Sequence, residues 1–141
     1  QRVESNGKLS INAGASVWFE TQTGISIDDT AIFSAIGTAN DKITFRGVDP
    51  QAGSWDGLQF YFTQSPSNEI RHAIIEHAGS DQGAIYLWDN PALKVSDVTF
   101  NDISNCAFYD GPKGASDPAN PNLARTNITY NNVASQYCQG N

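Results

Sequence analysis

Four aspartates, Asp56, Asp81, Asp89 and Asp110, fall near the ends of short apolar segments, and Arg71 and Glu76 flank another such segment. Carboxylates held about 5 to 9 Å apart can act as acid and base on a glycosidic bond. The same residue type closes β corners through Asx turns, and no motif in the chain selects between the two roles. Asp28-Asp29-Thr30 and Asp89-Asn90 could offer oxygens to a calcium ion, and Asx turns explain them equally. His72 and His77 are five residues apart. On a strand they point to opposite faces and cannot form the paired i, i+2 ligands of a metal site. His77 beside Glu76 is either a general base or a hydrogen-bonded surface histidine. The chain has no Gly-x-Ser-x-Gly elbow, P-loop or HExxH, so acyl transfer, nucleotide hydrolysis and zinc proteolysis lose their usual entry points.

These residues must be positioned by a single domain, since 141 residues suffice for one core and not for two. Charged residues make up 16% of the chain against about 25% in an average domain, and aromatics reach 11%. Few charges among many small polar residues suggest a turn-rich β protein. The formal charge of -7 (8 basic minus 15 acidic) is spread over both halves, leaving no basic patch for nucleic acid or an anionic membrane. No apolar run approaches the ~18 residues of a membrane span, and no signal-like segment opens the chain at Gln1. The expectation is a soluble chain without membrane insertion, consistent with prior processing.

Helical periodicity is scarce, whereas short alternating runs are everywhere. Leu9-Ser10-Ile11, Val17-Trp18-Phe19, Ile25-Ser26-Ile27, Ile43-Thr44-Phe45, Leu58-Gln59-Phe60, Leu93-Lys94-Val95, Val98-Thr99-Phe100 and Ile128-Thr129-Tyr130 each place apolar groups on one face. Ile43, Ala73, Val98 and Ile128 start segments that recur at steps of about 25 to 30 residues, the period of stacked coils. A second column aligns Gly57-Leu58-Gln59-Phe60 with Gly83-Ala84-Ile85-Tyr86 and with Cys106-Ala107-Phe108-Tyr109. Ile70, Leu93-Lys94-Val95 and Leu123 form a third. Three short strands per turn describe an all-β parallel β-helix over residues 1–141, with alternate apolar residues filling its interior. Residues 111–122 hold three prolines and two glycines and are expected to form an irregular excursion, a lip over one face or a solvated loop.

Three stretches carry a likeness to a known family: Leu9–Phe19 as a first coil, Gly37–Phe45 as the next rung, and Gly53-Ser54-Trp55-Asp56-Gly57-Leu58-Gln59-Phe60 as a tryptophan-glycine turn into a strand. Together they resemble secreted bacterial right-handed parallel β-helix proteins of the pectin-lyase-like group. The resemblance covers most of residues 8–110 and implies a right-handed solenoid of about five coils, secreted or at the cell surface. For enzymes of the group it implies an acidic cluster, often holding calcium, with an Arg or Lys base, or paired aspartates. Asp56, Asp81, Asp110 and Arg71 are the catalytic candidates, although none falls in a motif that can be matched residue by residue. No cofactor is required, with calcium the one ion to consider, and no metal ligand set is assigned.

Cys106 and Cys138 lack zinc or thioredoxin spacing, and a disulfide is preferred over two buried thiols. The coil alignment brings them within about two residues of the same place on successive rungs, about 4.8 Å apart. Trp18, Tyr61, Trp88 and Tyr109 lie at or beside positions whose neighbours already fill the rung, so some must point outward. Aromatic faces beside Asp, Asn and Gln suit carbohydrate, and Trp88, Tyr61, Tyr109 and Asp89 are the expected binding face. Trp55 and Trp88 could instead cap the core. The outward column Thr44, Ile74, Thr99 and Thr129 lacks the repeated Thr-x-Thr of an ice-binding face, and β propensity explains it. Asn127-Ile128-Thr129 is a glycosylation sequon inside an expected strand. The reading is a non-catalytic module for a polysaccharide or surface glycan. The alternatives are a polysaccharide lyase or glycoside hydrolase, and a filament subunit associating through β-helix ends.

Overall fold

The computed structural model describes residues 1–114 and 116–140. Its eleven strands are β1 (Arg2–Val3), β2 (Lys8–Asn12), β3 (Ser16–Phe19), β4 (Gly24–Asp28), β5 (Ile32–Ile36), β6 (Ile43–Gly47), β7 (Gly57–Tyr61), β8 (Glu69–Glu76), β9 (Gly83–Trp88), β10 (Leu93–Gly111) and β11 (Leu123–Gln139). Every pairing is parallel, and the chain winds into a β-solenoid of about five turns. Each turn contributes to three ladders. The first stacks β1, β4, β7, β9 and the last parts of β10 and β11. The second stacks β2, β5 and the first parts of β8, β10 and β11, and the third stacks β3, β6 and later parts of the same long strands.

Alternation turns every second residue inward, so the interior is built of columns. Ile43, Ala73, Val98 and Ile128 stack in register, as do Val17, Phe45, Ile75, Phe100 and Tyr130. In the first ladder the repeat is one residue off the expected glycine alignment, because Leu58 pairs with Ile85 and Phe60 with Leu87. Side-chain volume decides this: Leu58 and Ile85 are both fully buried in one column. Gly57 instead leads into its rung at a φ of 111°, where a Cβ would press on the Gly83 carbonyl at 2.7 Å.

Sharp corners between ladders are made by single residues in the left-handed conformation. His72, Asp97 and Asn127 turn the second ladder into the third, and His77, Asp102 and Asn132 close the third. Asp and Asn tolerate this backbone and also bond along the axis: Asn127 Nδ2 donates to Asp97 Oδ1 and Asn132 Nδ2 to Asp102 Oδ1, both at 2.6 Å. The two histidines therefore sit on different corners, away from any shared site.

At the corner after the first ladder the successive residues are Asp29, Phe62 and Asp89. Phe62 is the misfit, a bulky left-handed residue at φ 59° that is 49% exposed. Phe62→Asn is expected to raise stability by about 1 kcal/mol, measured as a higher urea midpoint with unchanged slope. An unchanged or lowered midpoint would show that the ring's packing outweighs its backbone cost.

Inside the same corner Asn68, fully buried, accepts from Phe33 N at 2.9 Å and donates to Thr63 Oγ1 and Ala92 O. It supplies the partners that the chain loses on leaving a ladder. Asn120 repeats the device two coils on, donating to Pro91 O at 2.9 Å. With Lys113 also buried, the 111–122 excursion is pinned against the solenoid at both ends.

Cys106 and Cys138 form a disulfide with a Cα–Cα distance of 6.0 Å. A register shift between Ile103 and Cys106 pairs Cys106 with Ser135, and Tyr109 with Cys138. The final rung, β11, has no strand on its outer side among the described residues. Its inward positions Leu123, Ile128, Tyr130, Val133 and Tyr137 are only half-buried. Arg125 stands in the core column below Val95 and spreads its guanidinium over Phe108 and Tyr137, 5.3 and 4.7 Å from the ring centres. No helix among the described residues is long and apolar enough to cross a membrane.

Candidate functional site

The outer face of the first ladder collects the aromatics that the core columns exclude. Because Leu58, Phe60, Ile85, Leu87 and Phe108 point inward, Gln59, Tyr61, Tyr86, Trp88 and Tyr109 point outward. Register brings Tyr61 beside Trp88, and Gln59, Tyr86 and Tyr109 into one column. The rings form one cluster centred on Tyr86, with centroids 5.6 Å from Tyr61, 5.9 Å from Trp88 and 5.6 Å from Tyr109. Tyr86 is only 7% exposed although it faces outward, since its three neighbours enclose it. Glycines make room for the last ring: a Cβ on Gly111 would lie 3.2 Å from Tyr109 Cε1, and one on Gly140 would overlap the Tyr109 hydroxyl.

An acidic margin borders this platform. Asp28 continues the Tyr61 and Trp88 column and is held by Arg2. Burial pushes the Tyr86 hydroxyl up to about 12, helped by Tyr61, Tyr109 and Asp81. Burial likewise raises Tyr61, with Asp81, Asp28 and Asp56 adding to the effect. Both phenols therefore remain neutral across the physiological range, each with a hydroxyl that can donate and accept hydrogen bonds.

Of the expected binding residues, Tyr61, Trp88 and Tyr109 are brought together here, and Asp89 lies at the adjoining exposed corner. Tyr86, the centre of the cluster, was not among the residues expected. Its signal was present in the sequence: had Tyr86 been aligned with Gln59 rather than Phe60, it would have fallen in the outward column.

The catalytic candidates do not all converge: Asp56 and Asp81 both adjoin Tyr61, whereas Arg71 and Asp110 stand apart. Asp56 accepts from Ser80 Oγ before β7, and Asp81 is exposed before β9. Arg71 lies on the outside of the second ladder, 3.6 Å from Glu69. Asp110 points into the core with no exposure, below Leu87, and accepts from Asn120 N and Tyr137 Oη. A polymer on the surface cannot reach it. His77 is buried, with Nε2 3.8 Å from Glu76. Asp28 and Asn90, two of the residues considered for calcium, are engaged by Arg2 and Lys113. No group of three or more His, Cys, Asp or Glu suited to a metal occurs among the described residues.

Trp55 caps the core, fully buried against Phe19, whereas Trp18 is 56% exposed with Arg46 4.5 Å above its ring. Compared with protein-family models, curated proteins and solved structures, the chain matches none of them.

Proposed function

We propose that this chain is a secreted or cell-surface, non-catalytic module that binds a polysaccharide or surface glycan on its Tyr61, Tyr86, Trp88 and Tyr109 face. The observation that carries the reading is the contiguity of four outward aromatics across three successive rungs. Ring surface takes the apolar C–H face of a sugar, while neutral phenols, Gln59 and the acidic margin take its hydroxyls. The separation of Arg71 and Asp110 from the surface carboxylates supports binding over lyase or hydrolase chemistry. The disulfide favours an oxidising compartment, in keeping with the resemblance to secreted pectin-lyase-like proteins.

The test is a panel of neutral and acidic polysaccharides, with and without calcium, scored for retention of the protein and for released products. Retention without products is expected, weakened about tenfold by Trp88→Ala. Shortened or unsaturated products that vanish with Asp56→Ala or Asp81→Ala would replace this reading with the enzymatic one.

Self-association through the solenoid ends is the second reading, favoured by the half-buried apolar side chains of β11. Arg125 opposes it, because a second copy stacked there would bury the guanidinium.

A further inference from the structure

We propose that Lys113 and Asn90 become covalently joined by an intramolecular isopeptide bond, with Asp110 carrying the proton. The inference is independent of the glycan reading. Asp110 lies on the inward side of the first ladder, in the column of Phe60 and Leu87. Two residues after the strand ends, Lys113 turns back, and its side chain is 7% exposed. Its Nζ lies 2.7 Å from Asn90 Oδ1, 2.9 Å from Pro118 O and 3.8 Å from Asp110 Oδ2.

Both reacting side chains hang from fixed backbone. Asn90 is left-handed at φ 54°, and its carbonyl accepts from Gln64 Nε2 at 3.0 Å and Asn122 Nδ2 at 2.9 Å. Lys113 N donates to Gly140 O at 2.9 Å. Asp110 is held through one oxygen only: Oδ2 takes Asn120 N and Tyr137 Oη, while buried Oδ1 has no hydrogen-bond partner. A carboxylate anchored on one oxygen with the other bare is arranged to take up and return a proton, although as a plain ion-pair partner it would be under-used.

In the reaction, the Lys113 ammonium passes a proton to Asp110. Rotation of the Asn90 amide about Cβ–Cγ, a soft torsion, turns the face of Cγ toward the freed amine. The nitrogen lone pair attacks Cγ, Asp110 returns the proton to the departing amide nitrogen, and the Cγ–Nδ2 bond breaks. One C–N bond forms and one breaks, the proton remaining from the ammonium leaves with ammonia as an ammonium ion, and nothing is oxidised or reduced. Amide nitrogen is a poor leaving group, but fixed neighbours can react with effective molarities on the order of 10⁵–10⁸ M, and the event need happen only once per molecule.

Tryptic mapping of the reduced, full chain tests this. Peptides 72–94 and 95–125 are expected joined, about 17 Da lighter than their sum, with no cleavage after Lys113. Intact mass alone does not decide, because cyclisation of an N-terminal glutamine such as Gln1 removes the same mass. Asp110→Asn keeps the shape but not the proton carrier and is expected to abolish the joined species. Free peptide 72–94 together with full cleavage after Lys113 in the native chain would overturn the proposal, as would a joined species that persists in Asp110→Asn.

Discussion

Trp55→Ala is expected to lower stability by about 3–5 kcal/mol, a large fraction of the roughly 5–15 kcal/mol that holds a typical domain folded. Trp55 is fully buried where the chain passes from the third ladder to the first, and its ring stacks on Phe19 at 3.9 Å with planes 3° apart. Its indole N–H also donates to Glu76 O at 2.7 Å. Truncation therefore opens a cavity and leaves a carbonyl without its partner. Trp55→Phe, which keeps a ring and drops the N–H, is expected to cost less. Urea unfolding followed by circular dichroism separates the two variants. A loss below about 1 kcal/mol in Trp55→Ala would mean that neighbouring coils close over the gap, and this account of the core would fail.

Removing the disulfide should act on one coil rather than on the whole molecule. Cys106 and Cys138 are 32 residues apart, and a loop of that size gives about 3–4 kcal/mol in the chain-entropy description. β11 has one strand neighbour and no fully buried side chain, so it has little to replace that contribution. In Cys138→Ser, amide exchange is expected to quicken through residues 123–139 while β4, β7 and β9 keep their protection. Equal loss of protection across all strands would show instead that the solenoid unfolds as one unit.

The coil period was legible in the sequence because its carriers are large and alternate cleanly. Ile43, Ala73, Val98 and Ile128 do stack in register, and the two cysteines do meet. The first ladder misled by one residue, since two glycines that look alike at Gly57 and Gly83 have different places in their coils. That slip hid Tyr86, although Tyr61, Trp88 and Tyr109, the aromatics expected to point outward, do cluster around it. Polar residues turned inward were the harder case. Asp110, Asn68 and Arg125 look like surface residues by type, and only the neighbours supplied by other coils make their positions tolerable. Those neighbours lie 10 to 35 residues away along the chain, beyond what local pattern can reveal.

The link between Cys106 and Cys138 also has a mechanical meaning. When the two chain ends are pulled apart, tension crosses from one sulfur to the other and bypasses the intervening segment, whose ends are 6.0 Å apart and 32 residues distant in sequence. Roughly 100 Å of contour length is thereby withheld from extension, at about 3.3–3.6 Å per residue. The final coil is thus shielded from load for as long as the disulfide remains oxidised.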